Sequence, residues 1–299
     1  MVVSGFVVAI SLGAAFLLAL RDVFGRMAVR GIDSVVGTGA TAIFGMMVLV
    51  AVSLIQGDFA EAPFIWGWPL VIIGLAGIFR IVLARTFLFA GMKRIGAARV
   101  SSLATTNTFF AILLGIIFLG ERITVVSGGG AALVILGCVL LTQSRSGETE
   151  GGAAKNFVIG VGLALLSGFC FGAATAMAKA VLADFPSPNF ANVYANAIAI
   201  VAYLPLMGGR NPASQVRDWT LKTWGLLALT GSCASLGVSL MYVALAHAPL
   251  TLVSPLTQSR PLFVVAISVL FLQAHEVVNF RVAAGAITVV MGTVLLVIG

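Results

Sequence analysis

Two arginines lie deep inside long apolar segments of the chain, where a charged side chain is costly to bury. Arg80 and Arg260 are each about ten residues or more from the ends of their segments, or about 15 Å at 1.5 Å per residue. In a membrane, such arginines face a cavity or a partner and are candidates for a functional site. A guanidinium binds carboxylate and phosphate groups through paired hydrogen bonds. The alternative for each arginine is a structural role, in which it pairs with backbone carbonyls at a broken helix.

The segment around Arg260 repeats an earlier part of the sequence. Residues 249–273 match residues 96–120 at a constant offset of 153, with identities such as Val100/Val253. After a short insertion the match continues through the next apolar segment at an offset of 155. The chain therefore contains an internal duplication. Weak symmetry of this kind is typical of secondary transporters, whose binding sites lie between the repeats near the middle of the membrane.

Polar side chains surround the matching positions in both copies. Asn107 occupies the place in the first copy that Arg260 occupies in the second, so we expect the two to face each other. Adjacent helical residues point about 100° apart, so only some of the neighbours can face a shared cavity. For the hydroxyl groups, the alternative is a hydrogen bond to their own helix backbone. The predicted substrate-binding residues are Arg80, Asn107, Arg260, Thr106, Gln258 and Ser259.

The role of Asp22 depends on where the first apolar segment ends as a helix. If the helix stops at Leu20, Asp22 is interfacial and pairs with Arg26 four residues later. If the helix continues, Asp22 is a candidate for proton coupling or for binding the amine of a substrate.

Other charged residues are predicted to serve the ends of helices. Glu121 and Glu276 begin the fifth and tenth segments and are predicted to cap them, since the helix dipole favours an acidic group there. Arg85 and Lys179 lie nearer to helix ends and are predicted to extend towards the membrane surface.

The composition excludes a soluble globular protein. Hydrophobic residues make up 60% of the chain and charged residues only 9%, against roughly a quarter charged in soluble proteins. The net charge of +7 resides mostly at the ends of the apolar segments, so nucleic-acid binding is not predicted. The three cysteines, Cys138, Cys170 and Cys233, form no CxxC pair, so no metal site, cofactor or disulfide is indicated.

Ten segments are long and apolar enough to span a membrane, five in each half, and the predicted fold is an all-α membrane protein. The predicted first repeat is 1–142, the linker 143–156 and the second repeat 157–299. Lys and Arg number eleven on one side and one on the other, which predicts that the linker is cytoplasmic and both termini are outside. Because each half has an odd number of helices, the two halves must be inverted. The spans are 5–29, 33–56, 67–91, 97–119, 124–142, 157–183, 189–209, 221–246, 250–272 and 277–298.

Three features together resemble the drug/metabolite transporter superfamily, in its EamA-like branch. They are the five-helix halves, the FLGE motif at 118–121 with its FLQAHE counterpart at 271–276, and the basic loop before the fourth segment. The resemblance covers essentially the whole chain. It implies a central cavity surrounded by the first, third, fourth, sixth, eighth and ninth helices. Similar proteins carry amino acids, nucleotide sugars, phosphorylated metabolites or toxic cations. Many relatives have both termini in the cytoplasm, so the charge count departs from the family pattern.

The predicted function is that of a secondary-active permease or exporter in the cell inner membrane. The arginines predict a small anionic or zwitterionic substrate, such as an amino acid or an organic acid, moved by alternating access. No GxxxxGK[ST] run is present, so the predicted energy source is a gradient or exchange. One alternative is a multidrug cation exporter, for which Asp22 is the available carboxylate; another is a lipid-carrier flippase or membrane enzyme. An enzyme is not predicted, because His247 and His275 fall on opposite sides. Membrane lipid is the expected surrounding; a monomer suffices, and a dimer is the alternative.

Overall fold

The chain forms ten main helical elements in a computed structural model that describes residues 5–28, 32–61, 67–95, 100, 103–143, 154–208, 212–217, 219–271 and 280–298. The predicted linker residues 144–153 lie outside this part of the chain, as do Glu276 and His275. The helices are α1 Gly5–Ala28, α2 Ser34–Gln56, α3 Trp68–Ile95, α4 Asn107–Leu119, α5 Val125–Gln143, α6 Ala154–Val181, α7 Pro188–Gly208, α8 Leu221–His247, α9 in two segments, Leu250–Thr257 and Arg260–Phe271, and α10 Phe280–Ile298. Short helices at Asp58–Glu61 and Pro212–Arg217 lie between them.

The helices have the length and composition of a multi-pass membrane protein. Within the described ranges, six helices are long and apolar enough to cross a membrane unaided: α1, α2, α3, α6, α7 and α8. The two segments of α9 together cover 250–271, or about 33 Å, which matches a hydrocarbon core about 30 Å thick. Large apolar side chains such as Ile55, Val125 and Leu221 are exposed, as expected of a surface that faces lipid. The all-helical membrane fold is therefore confirmed.

The two halves interlock around a pseudo-twofold axis. Helix α1 packs against α8, and the equivalent pair is α6 against α3. Helix α2 packs against α8 as α7 packs against α3, and α4 packs against α6 as α9 packs against α1. The pairs α2–α7, α4–α9 and α5–α10 join equivalent helices directly. Each half therefore completes the packing of the other.

Helices α5 and α10 approach closely enough that only glycine fits at their crossing. A Cβ at Gly137 would lie 2.8 Å from the carbonyl oxygen of Gly285, and a Cβ at Gly292 would lie 2.7 Å from that of Gly130. Small residues let backbones touch in this way where the surroundings supply no hydrophobic drive for association. The contact is reciprocal between the two copies, and in each copy the two glycines are seven residues apart and share one face of the helix.

Helix α3 contains a segment that is wound differently from its neighbours. Residues Ile78–Leu83 form a π-helix, in which the amide of Ala84 donates to the carbonyl of Phe79 five residues earlier. Such segments are rare and occur frequently at functional sites. Arg80 lies inside this segment. No proline or glycine pair in the sequence signals the change.

Candidate functional site

The predicted fourth and ninth spans are both interrupted by a turn, at positions that correspond under the internal repeat. In the fourth span, Thr105 and Thr106 form a turn between the helical residues Leu103 and Ala104 and the start of α4. In the ninth span, Gln258 and Ser259 form the turn inside α9, one repeat offset of 153 later. In each turn the amide of the second residue donates to a carbonyl three residues earlier, at 3.1 Å in both copies. A proline accompanies the second turn, since Pro261 has no amide to donate to Thr257. The equivalent position after the first turn is Thr108, so no proline marks that turn.

The two breaks meet across the pseudo-twofold axis. Gln258 Nε2 donates to Asn107 Oδ1 at 2.7 Å, which joins the two halves of the chain directly. Asn107 therefore contacts a neighbour of Arg260, close to the predicted meeting of the equivalent positions. The Thr106 hydroxyl donates to the carbonyl of Leu103 at 2.7 Å, which is the backbone alternative that the sequence left open.

Small residues of α6 allow this arrangement to pack. A Cβ at Gly172 would lie 2.7 Å from the carbonyl oxygen of Asn107, and a Cβ at Gly168 would lie 2.7 Å from the Thr106 hydroxyl. Because glycine has no side chain, α6 lies directly against the start of α4 at these two positions. Ser259 is 2% exposed, and its hydroxyl has no hydrogen-bond partner among the residues that the structure describes. Buried hydroxyl groups usually have such a partner, so this one marks the break as unusual.

Asp22 lies within α1 and joins it to α9. Its Oδ2 is 3.2 Å from Arg260 Nε, and its Oδ1 accepts from Arg21 Nη2 at 2.6 Å and from Arg21 Nε at 3.0 Å. The helix continues to Ala28, so it does not stop at Leu20, the condition on which the interfacial alternative depended. Contact with α9 supplies one long-range partner, and the predicted pairing with Arg26 lies outside the described side chains. All three of these charged side chains are partly buried.

Arg80 is held by neutral groups from the second half. Its Nη2 donates to Asn192 Oδ1 at 3.0 Å and its Nη1 to the Tyr242 hydroxyl at 3.3 Å, with the guanidinium 5.6 Å from the Tyr242 ring centre. Among the residues that the structure describes, no carboxylate lies within ion-pair distance of Arg80. Its positive charge is therefore compensated there only by dipoles and by an aromatic ring.

A buried amide network fixes the partner of Arg80. Asn192 Nδ2 donates to Ser239 Oγ at 3.1 Å and to the carbonyl of Ser235 at 3.2 Å. The Ser239 hydroxyl donates to Asn189 Oδ1 at 2.8 Å, and Asn189 Nδ2 donates to Ser53 Oγ at 2.6 Å. The network runs through α7, α8 and α2 and fixes the Asn192 oxygen that receives Arg80. Sequence analysis missed it, although the spacing of Asn189 and Asn192 on one face of α7 was a usable signal.

Arg85 belongs to the same interior. It lies within electrostatic range of Arg21, Arg80 and Asp22. Helix α3 continues to Ile95, ten residues beyond Arg85, and the extension of Arg85 to lipid headgroups stays a prediction. Four arginines and one carboxylate are thus placed in the interior of α1, α3 and α9.

Glu121 and Lys179 bind helix ends that the sequence did not predict. Glu121 accepts from the amide of Leu250 at 2.6 Å and from that of Thr251 at 2.8 Å, so it caps α9 in the other half. Its own helix α5 is capped by Thr124, whose hydroxyl accepts from the Ser127 amide at 3.1 Å. The prediction that Glu121 caps α5 is therefore wrong.

Lys179 binds the other side of the connection between α8 and α9. Its Nζ donates to the carbonyl of Leu245 and, at 3.0 Å, to that of Ala248, at the end of α8. These acceptors satisfy the Lys179 ammonium group within the protein, and its extension to the membrane surface stays a prediction. An anion at the start of α9 and a cation at the end of α8 both complement the helix dipoles. Glu121, Lys179 and His247 line an open cleft of about 460 Å³.

The sequence matches a family of membrane transporters, and the fold matches a solved structure. The model of the EamA-like transporter family matches residues 5–143 and again residues 158–298. An uncharacterised transporter in the cobO 3′ region of Sinorhizobium sp is 28% identical over 130 residues, which are 44% of this chain and 91% of that protein. A solved chain described only as "Crystal structure of protein" superposes with a TM-score of 0.82 at 17% identity, over 97% of this chain and 94% of its own. The last likeness shows the fold alone. With one EamA domain in each half, the chain belongs to the EamA-like transporter family.

Proposed function

We propose that this transporter is a secondary-active permease for a small metabolite that carries a carboxylate or phosphate group. The observation that carries the proposal is the charge of the interior, where Arg80 has only neutral partners and Arg21 and Arg260 share one carboxylate among the described residues. An anion that enters this region gains charge-assisted hydrogen bonds from groups that the fold has already positioned. Zwitterions such as amino acids have a suitable carboxylate as well.

The proposed binding region includes both interrupted helices. Interrupted helices expose backbone groups at membrane depth, which is tolerated where protein or a cavity surrounds them. Asn107, Gln258 and Ser259 would contribute neutral polar contacts there, and Arg80 and Arg260 the charge. Alternating access would then move the two inverted halves around this region in the cell inner membrane. The energy would come from a gradient or from exchange.

The alternative of a cation exporter fits these contacts less well. It needs a carboxylate that a cationic substrate can approach, and both oxygens of Asp22 already face guanidinium groups. A cation would have to displace two arginines and would remain beside them. The lipid-carrier flippase has no specific contact in its favour.

We also propose that one chain is the functional unit. Each half supplies the packing partners that a second subunit would otherwise provide. Light scattering of the protein in detergent tests this, with a mass of one chain expected. A stable dimer whose dissociation abolishes transport would refute it.

Thermal unfolding of the purified protein, with and without candidate substrates, tests the proposed substrate class. Amino acids, dicarboxylates, phosphorylated sugars and cationic drugs form the panel, and Arg80→Gln and Arg260→Gln are the variants. The matched control is Arg217→Gln, because Arg217 is exposed outside the main helices. We expect acidic or zwitterionic compounds to stabilise the wild type and the control but neither site variant. Stabilisation by cations alone, retained in both site variants, would refute the proposal.

A further inference from the structure

The Asp22 carboxylate pairs with the Arg260 guanidinium, as the acidic group of a substrate would. The carboxylate uses its two oxygens separately: Oδ1 faces Arg21, and Oδ2 faces Arg260. One oxygen can therefore be released without the other. The Arg21 contact, at 2.6 Å and with a second bond at 3.0 Å, is shorter than the Arg260 contact at 3.2 Å.

We propose that Asp22 is an internal competitor of the substrate for Arg260, and that Arg21 retains the Asp22 carboxylate when the substrate displaces it. The inference rests on the proposed function, since it concerns an acidic substrate group at Arg260. In the unloaded carrier, Asp22 bridges α1 and α9 through its two arginines. In the loaded carrier, Asp22 pairs with Arg21, and the carboxylate or phosphate of the substrate pairs with Arg260.

The exchange is favourable because the incoming group makes a better pair than the one it replaces. Asp22 contacts Arg260 through Nε at 3.2 Å, and the two side chains are 26% and 27% exposed, so the pair is weak. A guanidinium has five N–H donors, and a free carboxylate or phosphate can accept two of them in parallel. Asp22 is anchored in α1 and holds its other oxygen against Arg21, which restricts its approach to Arg260.

The charges also favour an acidic substrate group. Arg21, Asp22 and Arg260 together carry one net positive charge in the unloaded state. When a monoanion binds Arg260, the result is two neutral pairs, Arg21 with Asp22 and Arg260 with the substrate. Neither charge of the original bridge is left unpaired, which matters because an isolated partly buried charge is costly.

The exchange also connects binding to the packing of helices. Release of Oδ2 removes the bridge between α1 and α9, which lie in different halves of the chain. Substrate binding therefore weakens one of the contacts that hold the two halves together at this point.

Chemical modification of Arg260 by phenylglyoxal, followed by mass spectrometry of the purified full-length protein, tests the inference. The variants are Asp22→Asn, Arg21→Gln and the double variant. The matched control is Asp33→Asn, because Asp33 caps α2 through the amides of Val35 and Val36 and asparagine caps as well as aspartate does. Succinate and inorganic phosphate are the probes, and the concentration that halves the labelling rate gives their apparent affinity.

We expect Arg260 to be labelled about threefold to tenfold faster in Asp22→Asn, and both probes to bind roughly twofold to tenfold more tightly, as expected for the loss of a weak ion pair. The control should match the wild type. Arg21→Gln should slow labelling and weaken binding by about twofold to fivefold, since Asp22 then loses the arginine that holds its other oxygen. In the double variant this effect of Arg21 should vanish, because there is no carboxylate left to retain.

Three outcomes would overturn the exchange. Unchanged labelling in Asp22→Asn shows that Asp22 does not hold Arg260, whether or not the probes bind. Weaker probe binding in Asp22→Asn shows that Asp22 positions Arg260 and does not compete for it. An Arg21 effect that persists in full in the double variant shows simple long-range attraction. Faster labelling that no anion reverses would instead refute the acidic substrate itself. If Asp22→Asn does not fold, Arg21→Gln alone still decides, because faster labelling of Arg260 in that variant contradicts the exchange.

Discussion

Removal of the Glu121 carboxylate should loosen the start of α9, although the two lie in different halves of the chain. The carboxylate accepts the amides of Leu250 and Thr251 at 2.6 and 2.8 Å, two of the four amides that a helix start leaves without partners. In Glu121→Ala both amides lose their acceptor. Pro249, just before them, has no side-chain oxygen to replace it.

The expected cost follows from these two bonds. Loss of a helix N-cap typically costs about 1 kcal/mol, and a hydrogen bond to a charged group is worth about 1.5–3 kcal/mol. Glu121 is only partly buried, so water recovers some of the loss, and we expect about 2 kcal/mol for Glu121→Ala. At about 2–4 °C per kcal/mol for a chain of this size, the Tm should fall by about 4–8 °C. Glu121→Gln retains one acceptor oxygen and should lose about half as much.

Amide hydrogen exchange distinguishes this cap from the one predicted by sequence. In Glu121→Ala, amide exchange should accelerate at Leu250 and Thr251. It should remain unchanged at Ser127, whose amide donates to the Thr124 hydroxyl. Arg122→Gln is the matched control, because Arg122 is adjacent but exposed. Acceleration at the start of α5 with none at Leu250 would refute the assignment, as would a Tm within about 1 °C of wild type.

Three further substitutions test the packing described above by thermal unfolding. Gly172→Ala places a Cβ 2.7 Å from the Asn107 carbonyl and should cost about 1–3 kcal/mol. Gly162→Ala, with nothing within 4 Å, should be neutral or gain up to about 1 kcal/mol from helix propensity, and equal effects would refute the close approach. Asn192→Ala removes an acceptor from Arg80 and should cost about 1–3 kcal/mol, so an unchanged Tm would show that the network does not hold Arg80. Lys179→Met keeps the apolar stem and loses two carbonyl contacts, and a drop of about 2–5 °C is expected, whereas Lys179→Arg should retain part of them.

Hydropathy and repetition predicted the architecture because both report on properties of whole segments. Runs of about 20 apolar residues define the spans wherever the chain meets lipid. The offset of 153 predicted that Asn107 and Arg260 would be neighbours, and the structure places Gln258, next to Ser259 and Arg260, against Asn107. The spacing of Gly130 and Gly137, seven residues apart, places both on one face of α5, where α10 packs.

The partners of single charged residues were not predictable in this way. Glu121 meets Leu250 at a separation of 129 residues, and Arg80 meets Asn192 at 112 residues. Such contacts depend on how helices cross, which local spacing does not encode. Spacing within α1 likewise gave no sign of the contact between Asp22 and Arg260. The π-helical turn around Arg80 has no signal within its own residues either, since Ile78–Leu83 is apolar except for that arginine and contains neither proline nor glycine.

The reciprocal glycine contact between α5 and α10 divides the chain into parts that can diverge at different rates. Gly137 meets the backbone at Gly285, and Gly292 meets it at Gly130, so a larger residue in either copy would push apart both copies at once. Selection at this glycine contact therefore acts on both halves together. Elsewhere each half can change alone, as Arg80 and its counterpart Cys233 already differ. A duplicated protein that keeps this symmetric contact can thus acquire an asymmetric interior one substitution at a time, while its two halves still assemble.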